Sequence, residues 1–430
     1  MLIEFRVANF RSLKDEQALT FEAEPTLNTS DHRLRVVSEH RRPLLPVAII
    51  CGSNASGKSN LLAAIQFMRE AVLNSDGHWR ETSRIPRTAF KWAGRATMPS
   101  LFEVNFLLGK KQFQYGFCLD DERVLEEWLY EQIQGDTISI FERERQTIDI
   151  HPDFKPEIKA FWQQTSTNCL FFSSLKKATS SRVLELVDWF RRILVVHQDS
   201  TSYSLWQELG FSWAGQDIQP ISSPENNEPV RGDLITLQQG ADLSRSTIWR
   251  RSLDFLRTLD LGILDIQSVK QISEDGKNVG RILIRHADDP DAWLELREES
   301  KGTQCLLLLA PYIMQALETG GLLLIDELDS NLHPLIGLSV VRLFNEPDTN
   351  PHNAQVLFTT HDTRLLGNTL GDCVLRKDQI WFAEKEKDGA SIIFPLTDFH
   401  STDGENFERG YLQGRYGAIP HCETFSWDEV

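Results

Sequence analysis

Apolar and polar residues alternate from Leu2 to Val7, which predicts a strand with one buried face, and Ala18 to Ala23 is placed to pair with it. The alternation then gives way to an unbroken apolar run, Val47-Ala48-Ile49-Ile50, with Pro43 and Pro46 before it and Gly52 after it. Such a run predicts a parallel strand buried on both faces and entering a tight loop. Beyond the loop, Leu61, Leu62, Ile65, Met68 and Val72 recur at helical spacing. The predicted unit is strand, glycine loop, helix.

Phe102 to Leu108, Gln112 to Leu119 and Ile138 to Glu142 read as strands, with turns at Gly109 and Gly135. The spacing is helical from Glu157 to about Val196 and again over Leu253 to Leu261, and Arg281 to Arg285 predicts a strand. Residues 197–235 are rich in Ser, Gln, Pro, Asn and Gly, with little periodicity, and predict a mobile loop or insertion boundary. Thr303 to Leu317 predicts a long apolar helix, closed by Gly320-Gly321. Leu322 to Ile325 and Gln355 to Thr359 predict two further buried strands, and Ile380 to Lys385 with Ser391 to Leu396 a hairpin across Asp388-Gly389. No internal repeat and no sustained heptad run is present.

Composition narrows the class without naming a function. The 430 residues are 41% hydrophobic and 25% charged, with 25 Gly and 17 Pro, which excludes a mainly disordered or collagen-like chain. Lys and Arg number 45 against 62 Asp and Glu, a net charge of −17, which opposes coating nucleic acid or anionic membrane with the whole surface. Two local basic clusters stand against that trend: Arg33, Arg35, His40, Arg41 and Arg42, then Arg245, Arg250, Arg251 and Arg257. Each is better read as a solvated or interface patch than as a DNA surface. Asp288-Asp289-Pro290-Asp291 reads as an acidic turn before a strand. The six cysteines are scattered without a CxxC pair, which predicts idle or buried thiols in place of a zinc site or disulfide framework. The N-terminus lacks the pattern of a secretory signal and no apolar stretch approaches the ~20 residues that span a bilayer, so a cytoplasmic protein with no membrane partner is expected.

Chemistry enters at Gly52-Ser53-Asn54-Ala55-Ser56-Gly57-Lys58-Ser59, which fits G-x-x-x-x-G-K-[ST]. Its glycines let backbone N–H groups curl around a phosphate, and the helix that follows adds its positive end. Lys58 is suited to the β- and γ-phosphates and Ser59 to one Mg²⁺ position. Asp326 ends the apolar run Leu322-Leu323-Leu324-Ile325 and is suited to hold the Mg²⁺ shell, while Glu327 beside it is suited to polarise the attacking water. ATP and Mg²⁺ are therefore the expected cofactors. Three further pieces are, taken singly, a helix cap, a polar turn and a solvated histidine: Glu299-Ser300-Lys301-Gly302-Thr303-Gln304, Asp329-Ser330-Asn331-Leu332-His333 and Phe358-Thr359-Thr360-His361-Asp362. In this order and spacing they reproduce the layout of an ABC-type ATPase head.

On these motifs the chain resembles the SMC/RecF-like ABC ATPases of the AAA15/AAA21 group, particularly the RloA/AbiL-type ATPases of bacterial phage defence. Phe10-Arg11-Ser12-Leu13, Leu332-His333-Pro334, Arg376-Lys377-Asp378-Gln379-Ile380 and the closing Gly414-Arg415-Tyr416-Gly417-Ala418-Ile419-Pro420 carry the resemblance along with the nucleotide motifs. It implies an α/β P-loop ABC-type ATPase head, a mixed sheet flanked by helices, interrupted by a mainly helical lobe. The expected parts are residues 1–145, the inserted lobe 146–260, and 261–430. Because no heptads occur, that lobe is expected to be short and not a long coiled coil.

The resemblance also implies roles. Asn54, Ala55, Ser56, Gly57, Lys58, Ser59 and Asn60 would wrap the nucleotide with Arg11 nearby, Ser59 and Asp326 would hold the metal, and Lys58, Glu327 and His361 would serve catalysis. Ser300, Gly302 and Asp329 of one head would meet the nucleotide of a second, giving at least a head-to-head dimer. Gln112 and Gln114 are the candidates for a Q-loop glutamine. The implied function is an ATP-hydrolysing switch in an anti-phage system that controls a separate effector, a nuclease of the RloB type, with nucleic acid a possible but not required ligand. A RecF-like DNA clamp is the alternative. A self-contained nuclease of the OLD kind is disfavoured, because the segment after His361 holds no convincing DxD with an upstream acid.

Overall fold

The computed structural model of the chain describes residues 1–27, 30–37, 40–81, 84–133, 135–178, 180–197, 247–259, 261–272, 278–367, 373–400 and 405–420. The predicted loop at 197–235 lies outside these residues from 198 onward, as does Arg245.

Among the described residues the central sheet has six strands. Val47–Gly52 (β3), Gln355–Thr359 (β14) and Leu322–Asp326 (β13) run parallel at its middle, Ile193–His197 (β9) extends it beside β13, and Ile380–Lys385 (β15) joins β3 on the other side. Ser391–Pro395 (β16) closes that edge as the antiparallel arm of a hairpin with β15. Every residue of β3 and β14 is buried, as unbroken apolar strands inside a parallel sheet require. Side chains alternate across the sheet and so divide between two cores. Ala48, Ile50, Leu324, Leu357 and Ala383 face one cluster, and Val47, Ile49, Leu323, Ile325, Phe358 and Phe382 face the other.

The first core is closed by the helix Lys58–Glu81 (α1) and by a seven-stranded antiparallel sheet. That sheet runs Gln17–Thr20 (β2), Leu2–Ala8 (β1), Ser100–Leu108 (β4), Lys111–Leu119 (β5), Val124–Ile133 (β6), Asp136–Glu144 (β7) and Thr147–Ile150 (β8). Gln355 of β14 stitches the two sheets together: its amide oxygen accepts the Leu2 N–H at 2.5 Å, and its amide nitrogen donates to the Leu2 and Leu45 carbonyls at 2.9 and 3.2 Å. Three helices, Lys155–Trp162 (α2), Phe171–Ser174 (α3) and Ser181–Arg191 (α4), complete this side, with α3 and α4 packed on α1.

The second core lies under Thr247–Thr258 (α5), Lys301–Thr319 (α6) and Pro334–Asn345 (α7), with a small sheet of Asp265–Ile272 (β10), Asn278–Arg285 (β11) and Trp293–Glu295 (β12) alongside. A short helix, Phe407–Leu412 (α8), ends the described elements. Helix α6 starts at an N-cap serine and stops at Gly320, whose left-handed φ of 66° is the usual helix-ending conformation of glycine.

The head is thus a mixed α/β fold with helical insertions, and it differs from the sequence expectation in several places, with β8, β10, α7 and α8 among the elements not foreseen. The continuous helical stretch expected up to Val196 is broken into α2, α3 and α4 and then becomes β9. Its apolar run Ile193-Leu194-Val195-Val196 pairs in parallel with Leu322–Ile325. Residues 146–260 therefore supply edge strands to both large sheets as well as helices, and the 145/146 boundary falls in the hairpin between β7 and β8. Strand β6 was not foreseen. Its pattern is masked by Glu127 and Glu131, two acids that occupy buried positions (0% and 1% exposed).

Candidate functional site

The site forms where the C-terminal ends of the parallel strands meet the first turn of α1, the usual place for a ligand in such a sheet. β3 ends at Gly52 and the chain wraps through Ser53–Gly57 into α1. Gly57 has φ +101°, and a Cβ there would run into the side chains of Ser391 and Ser12. Only glycine allows that turn and that approach. The loop is braced from two distant segments. Ser391 Oγ, on β16, lies 2.6 Å from the Ser56 carbonyl and 2.7 Å from Ser12 Oγ, and Asn60 Nδ2 donates to Ser12 Oγ at 2.6 Å. The Phe10–Leu13 turn, tight enough to place Asn9 and Arg11 in the left-handed region, is in this way part of the phosphate loop's support.

Lys58 is buried, and its ammonium donates to the carbonyls of Gly52 and Ser53 at 2.9 and 3.0 Å. Burial draws its pKa below the ordinary lysine value, against the opposing pull of Cys51, Glu327, Asp326 and Asp329. The Cys51 thiol is pushed up to about 12 by burial, which makes it an inert core group beneath the loop. Ser56 has no exposed surface, and among the described residues its hydroxyl has no hydrogen-bond partner.

The two residues expected to hold the metal, Ser59 and Asp326, come together across the fold. Ser59 Oγ donates to Asp326 Oδ1 at 2.9 Å, and the same carboxylate oxygen accepts the Thr359 hydroxyl at 2.7 Å. A hydroxyl and a carboxylate are the hard oxygen donors that Mg²⁺ takes from a protein while keeping water and phosphate oxygens for its other positions. The donor set therefore fits the ion. Glu327 follows with φ +57°, its N–H held by Thr359 Oγ1 at 2.7 Å. Asp329 accepts the His361 backbone N–H with both carboxylate oxygens at 3.1 Å, so the turn after β13 and the turn after β14 are tied within one chain.

The remaining expected residues fall into two groups. Asn54 and Ala55 form the exposed tip of the loop, Ala55 in the left-handed region, and Arg11 Nη1 reaches Asn60 Oδ1 at 3.4 Å at the mouth of α1. Ser300 caps α6, accepting the Thr303 N–H at 3.1 Å, and a Cβ on Gly302 would meet the Asn331 carbonyl at 2.8 Å. Among the described residues no hydrogen bond joins Ser300 or Gly302 to the phosphate loop of the same chain. Gln112 bonds to His40 and Gln114 to Glu103, both away from the site.

Ser391 lay outside the quoted motifs, and Thr359 and the Gly414–Pro420 stretch lay inside them with no role at the site read from either. A cavity of about 660 Å³ is bounded by Gly52, Ser53, Asn54 and His361 on one side and by Tyr411, Leu412, Ile419 and Pro420 on the other. The Gly414–Pro420 stretch reaches it because Tyr416 is buried against Phe382 and Phe399, and the Ala418 N–H donates to Glu384 at 3.1 Å.

The sequence profile of the family described as "AAA domain, putative AbiEii toxin, Type IV TA system" matches residues 47–367. The chain belongs to this family. The match starts at the first residue of β3 and ends just past His361, so it takes in the phosphate loop, Asp326–Glu327 and the histidine turn in one P-loop ATPase domain. Among solved structures, an SMC head bound to the C-winged helix domain of ScpA is similar at 13% identity, covering 93% of this chain and 99% of that one, with a TM-score of 0.46. The SMC head domain from Thermotoga maritima gives 16% identity, 92% and 98% coverage, and 0.39. An SMC head with an extended coiled coil bound to the C-terminal domain of ScpA, from Pyrococcus furiosus, gives 12%, 92% and 97%, and 0.44. A search of curated proteins found no match. Among the described residues no helix is long and apolar enough to cross a membrane.

Proposed function

We propose that this family member is an ATP-driven switch that acts on a separate effector. The observation that carries the reading is the meeting of Ser59 and Asp326, 267 residues apart in the chain, at 2.9 Å beside the phosphate loop. Mg²⁺ would bind there through the hydroxyl and the carboxylate and would neutralise charge on the β- and γ-phosphates. Lys58 would turn from the Gly52 and Ser53 carbonyls to the phosphates, Glu327 would orient the attacking water, and His361 would approach the γ-phosphate from the cavity side. Ser300 stands exposed at the head of a 19-residue helix and makes no bond to its own phosphate loop, which supports a role on the nucleotide of a second copy. Closure of two heads on ATP and release on hydrolysis would then be what the effector reads. The family's description in toxin–antitoxin terms supports a partner protein, and the resemblance makes a RloB-type nuclease the specific expectation.

Part of the basic surface that a DNA clamp would use is engaged in internal pairing, with Arg41 and Arg250 left exposed and Arg245 outside the described residues. Arg33 binds Asp31 and the Cys373 carbonyl, Arg35 is buried on the carbonyls of Phe344 and Asn345, and His40 and Arg42 share Glu22. In the second cluster Arg251 pairs with Glu318 and Arg257 with Asp254.

The switch is tested with Glu327→Gln. With Mg²⁺ and ATP it is expected to stop turnover and to run at twice the monomer mass, measured by light scattering after gel filtration. A variant that binds ATP and stays monomeric would overturn the two-head reading.

A further inference from the structure

Strands β13 and β14 lie side by side and end in the two turns that carry the chemistry, Asp326–Glu327 and Thr359–Thr360–His361. Thr359 sits at their seam with no exposed surface. Its hydroxyl donates to Asp326 Oδ1 at 2.7 Å and accepts the Glu327 N–H at 2.7 Å, and its carbonyl accepts the Leu328 N–H at 3.0 Å. One residue therefore anchors two successive N–H groups of the turn that presents Glu327, as well as the carboxylate that precedes it. Glu327 needs such an anchor. Its φ of +57° is a left-handed conformation that a residue with a side chain keeps only where the surroundings over-determine it. The neighbours of Thr359 on the strand, Val356, Leu357 and Phe358, are all apolar and buried, so packing alone would favour an aliphatic side chain at this place too.

Resting on the ATP-hydrolysing reading above, we infer that Thr359 is a positioning residue of the hydrolytic site. Its hydroxyl sets where the Asp326 carboxylate and the Glu327 backbone stand, and through them the aim of the Glu327 side chain on water. Buried beneath both acids, it acts only through them. Valine at this position keeps the volume and the strand preference but leaves the Glu327 N–H without its acceptor and takes from Asp326 Oδ1 one of its two hydroxyl donors, leaving Ser59 alone. The turn is then free to leave the left-handed conformation, and a misplacement of a catalytic group by about 1 Å costs on the order of a hundredfold in rate.

The test compares wild type, Thr359→Val and Thr359→Ser by steady-state hydrolysis of Mg²⁺–ATP, by equilibrium titration of the nucleotide, and by hydrogen exchange of the backbone at residues 322–332. Thr359→Val is expected to lower kcat by about 30- to 100-fold while the ATP dissociation constant stays within about threefold. It is also expected to speed exchange at Glu327 and Leu328. Thr359→Ser, which keeps the hydroxyl and loses a methyl group, is expected to recover kcat to within about fivefold of wild type. Wild-type kcat in Thr359→Val would overturn the inference, as would a Thr359→Ser variant that falls as far, since the loss would then belong to packing. If the wild-type protein binds ATP and does not hydrolyse it, the ATPase reading fails by itself. The exchange measurement then decides the anchor: unchanged protection in Thr359→Val would overturn it.

Discussion

Both large sheets bury charge, and they hold it in opposite ways. In the antiparallel sheet Glu127 has no exposed surface, and its carboxylate accepts Arg143 Nη1 at 3.2 Å, the Tyr115 hydroxyl at 3.0 Å, and the N–H groups of Phe171 and Phe172 at 2.7 and 2.9 Å. Burial raises its pKa, and Arg143 and the two N–H groups work against that rise. At the open end of the central sheet, buried Lys58, the first residue of α1, rests on two carbonyls of its own loop, and Asp326 rests on two hydroxyls. The first arrangement saturates an ion with charged and fixed partners, so the ion locks β6 to β7 and to the start of α3. The second gives its ions neutral partners at the open ends of strands, and the loop carbonyls under Lys58 are partners that a phosphate would replace without unfolding anything. A buried charge marks a ligand site when its protein partners are exchangeable, and a structural joint when they are not.

Three substitutions would break or sharpen that contrast. Lys58→Ala removes the exchangeable cation, and ATP turnover is expected to fall by about 10³-fold or more, while the urea midpoint moves little because only two loop carbonyls lose a donor. A stability loss as large as the functional one would erase the distinction between the two sheets. Glu127→Ala leaves Arg143 buried and uncompensated and is expected to cost about 3–5 kcal/mol in urea unfolding, with the ATP affinity of the folded protein within about twofold of wild type. A large change in affinity there would mean that the antiparallel sheet takes part in the site.

The smallest effect is expected at Asp31. Burial pushes its carboxyl upward, but its hydrogen bonds and ion pairs with Arg33 and Arg376 outweigh that and hold it well below the ordinary 3.8. A carboxyl whose folded pKa is depressed contributes stability that is complete above the unfolded value and is lost as pH falls through the folded one. Unfolding followed from pH 7 to pH 2 should therefore show wild type losing stability below about pH 4. Asp31→Asn should be less stable at pH 7 and flatter across that acid limb. Equal slopes would show that this ion pair adds nothing to the head.

The elements that could be read from the residues are those whose instructions are local. The run Val47–Ile50, the glycines at 52 and 57 and the apolar spacing of α1 each act within a few residues, and the structure has them as strand, loop and helix. The same holds for the strand that ends in Asp326 and for the helix cap at Ser300. β6 and β9 were hidden for different reasons. Glu127 and Glu131 occupy buried positions, which breaks the alternation that marks a half-buried strand, and the apolar run of β9 continues the helical spacing of α4 without a breaker. The arginines at 33 and 35 looked like surface because a charge in a sequence carries no sign of its partner. Asp31 is two residues away from Arg33, but the carbonyls that hold Arg35 are those of Phe344 and Asn345.

Thr359 and Ser391 make the same point at the site. Each is an ordinary strand residue by type, and the partners that give each its role lie 33 residues away at Asp326 and 335 and 379 away at Ser56 and Ser12. The sequence by itself determined that a phosphate loop follows a buried strand and that a carboxylate pair ends another, because the φ freedom of glycine and the burial of an apolar run are properties of a few adjacent residues. The order of strands in the central sheet was decided only by tertiary packing, and with it which hydroxyl meets which carboxylate. In a parallel sheet, neighbouring strands are joined by long crossovers, so the contacts that aim Asp326 and Glu327 exist only once the two cores have closed on both faces of the sheet.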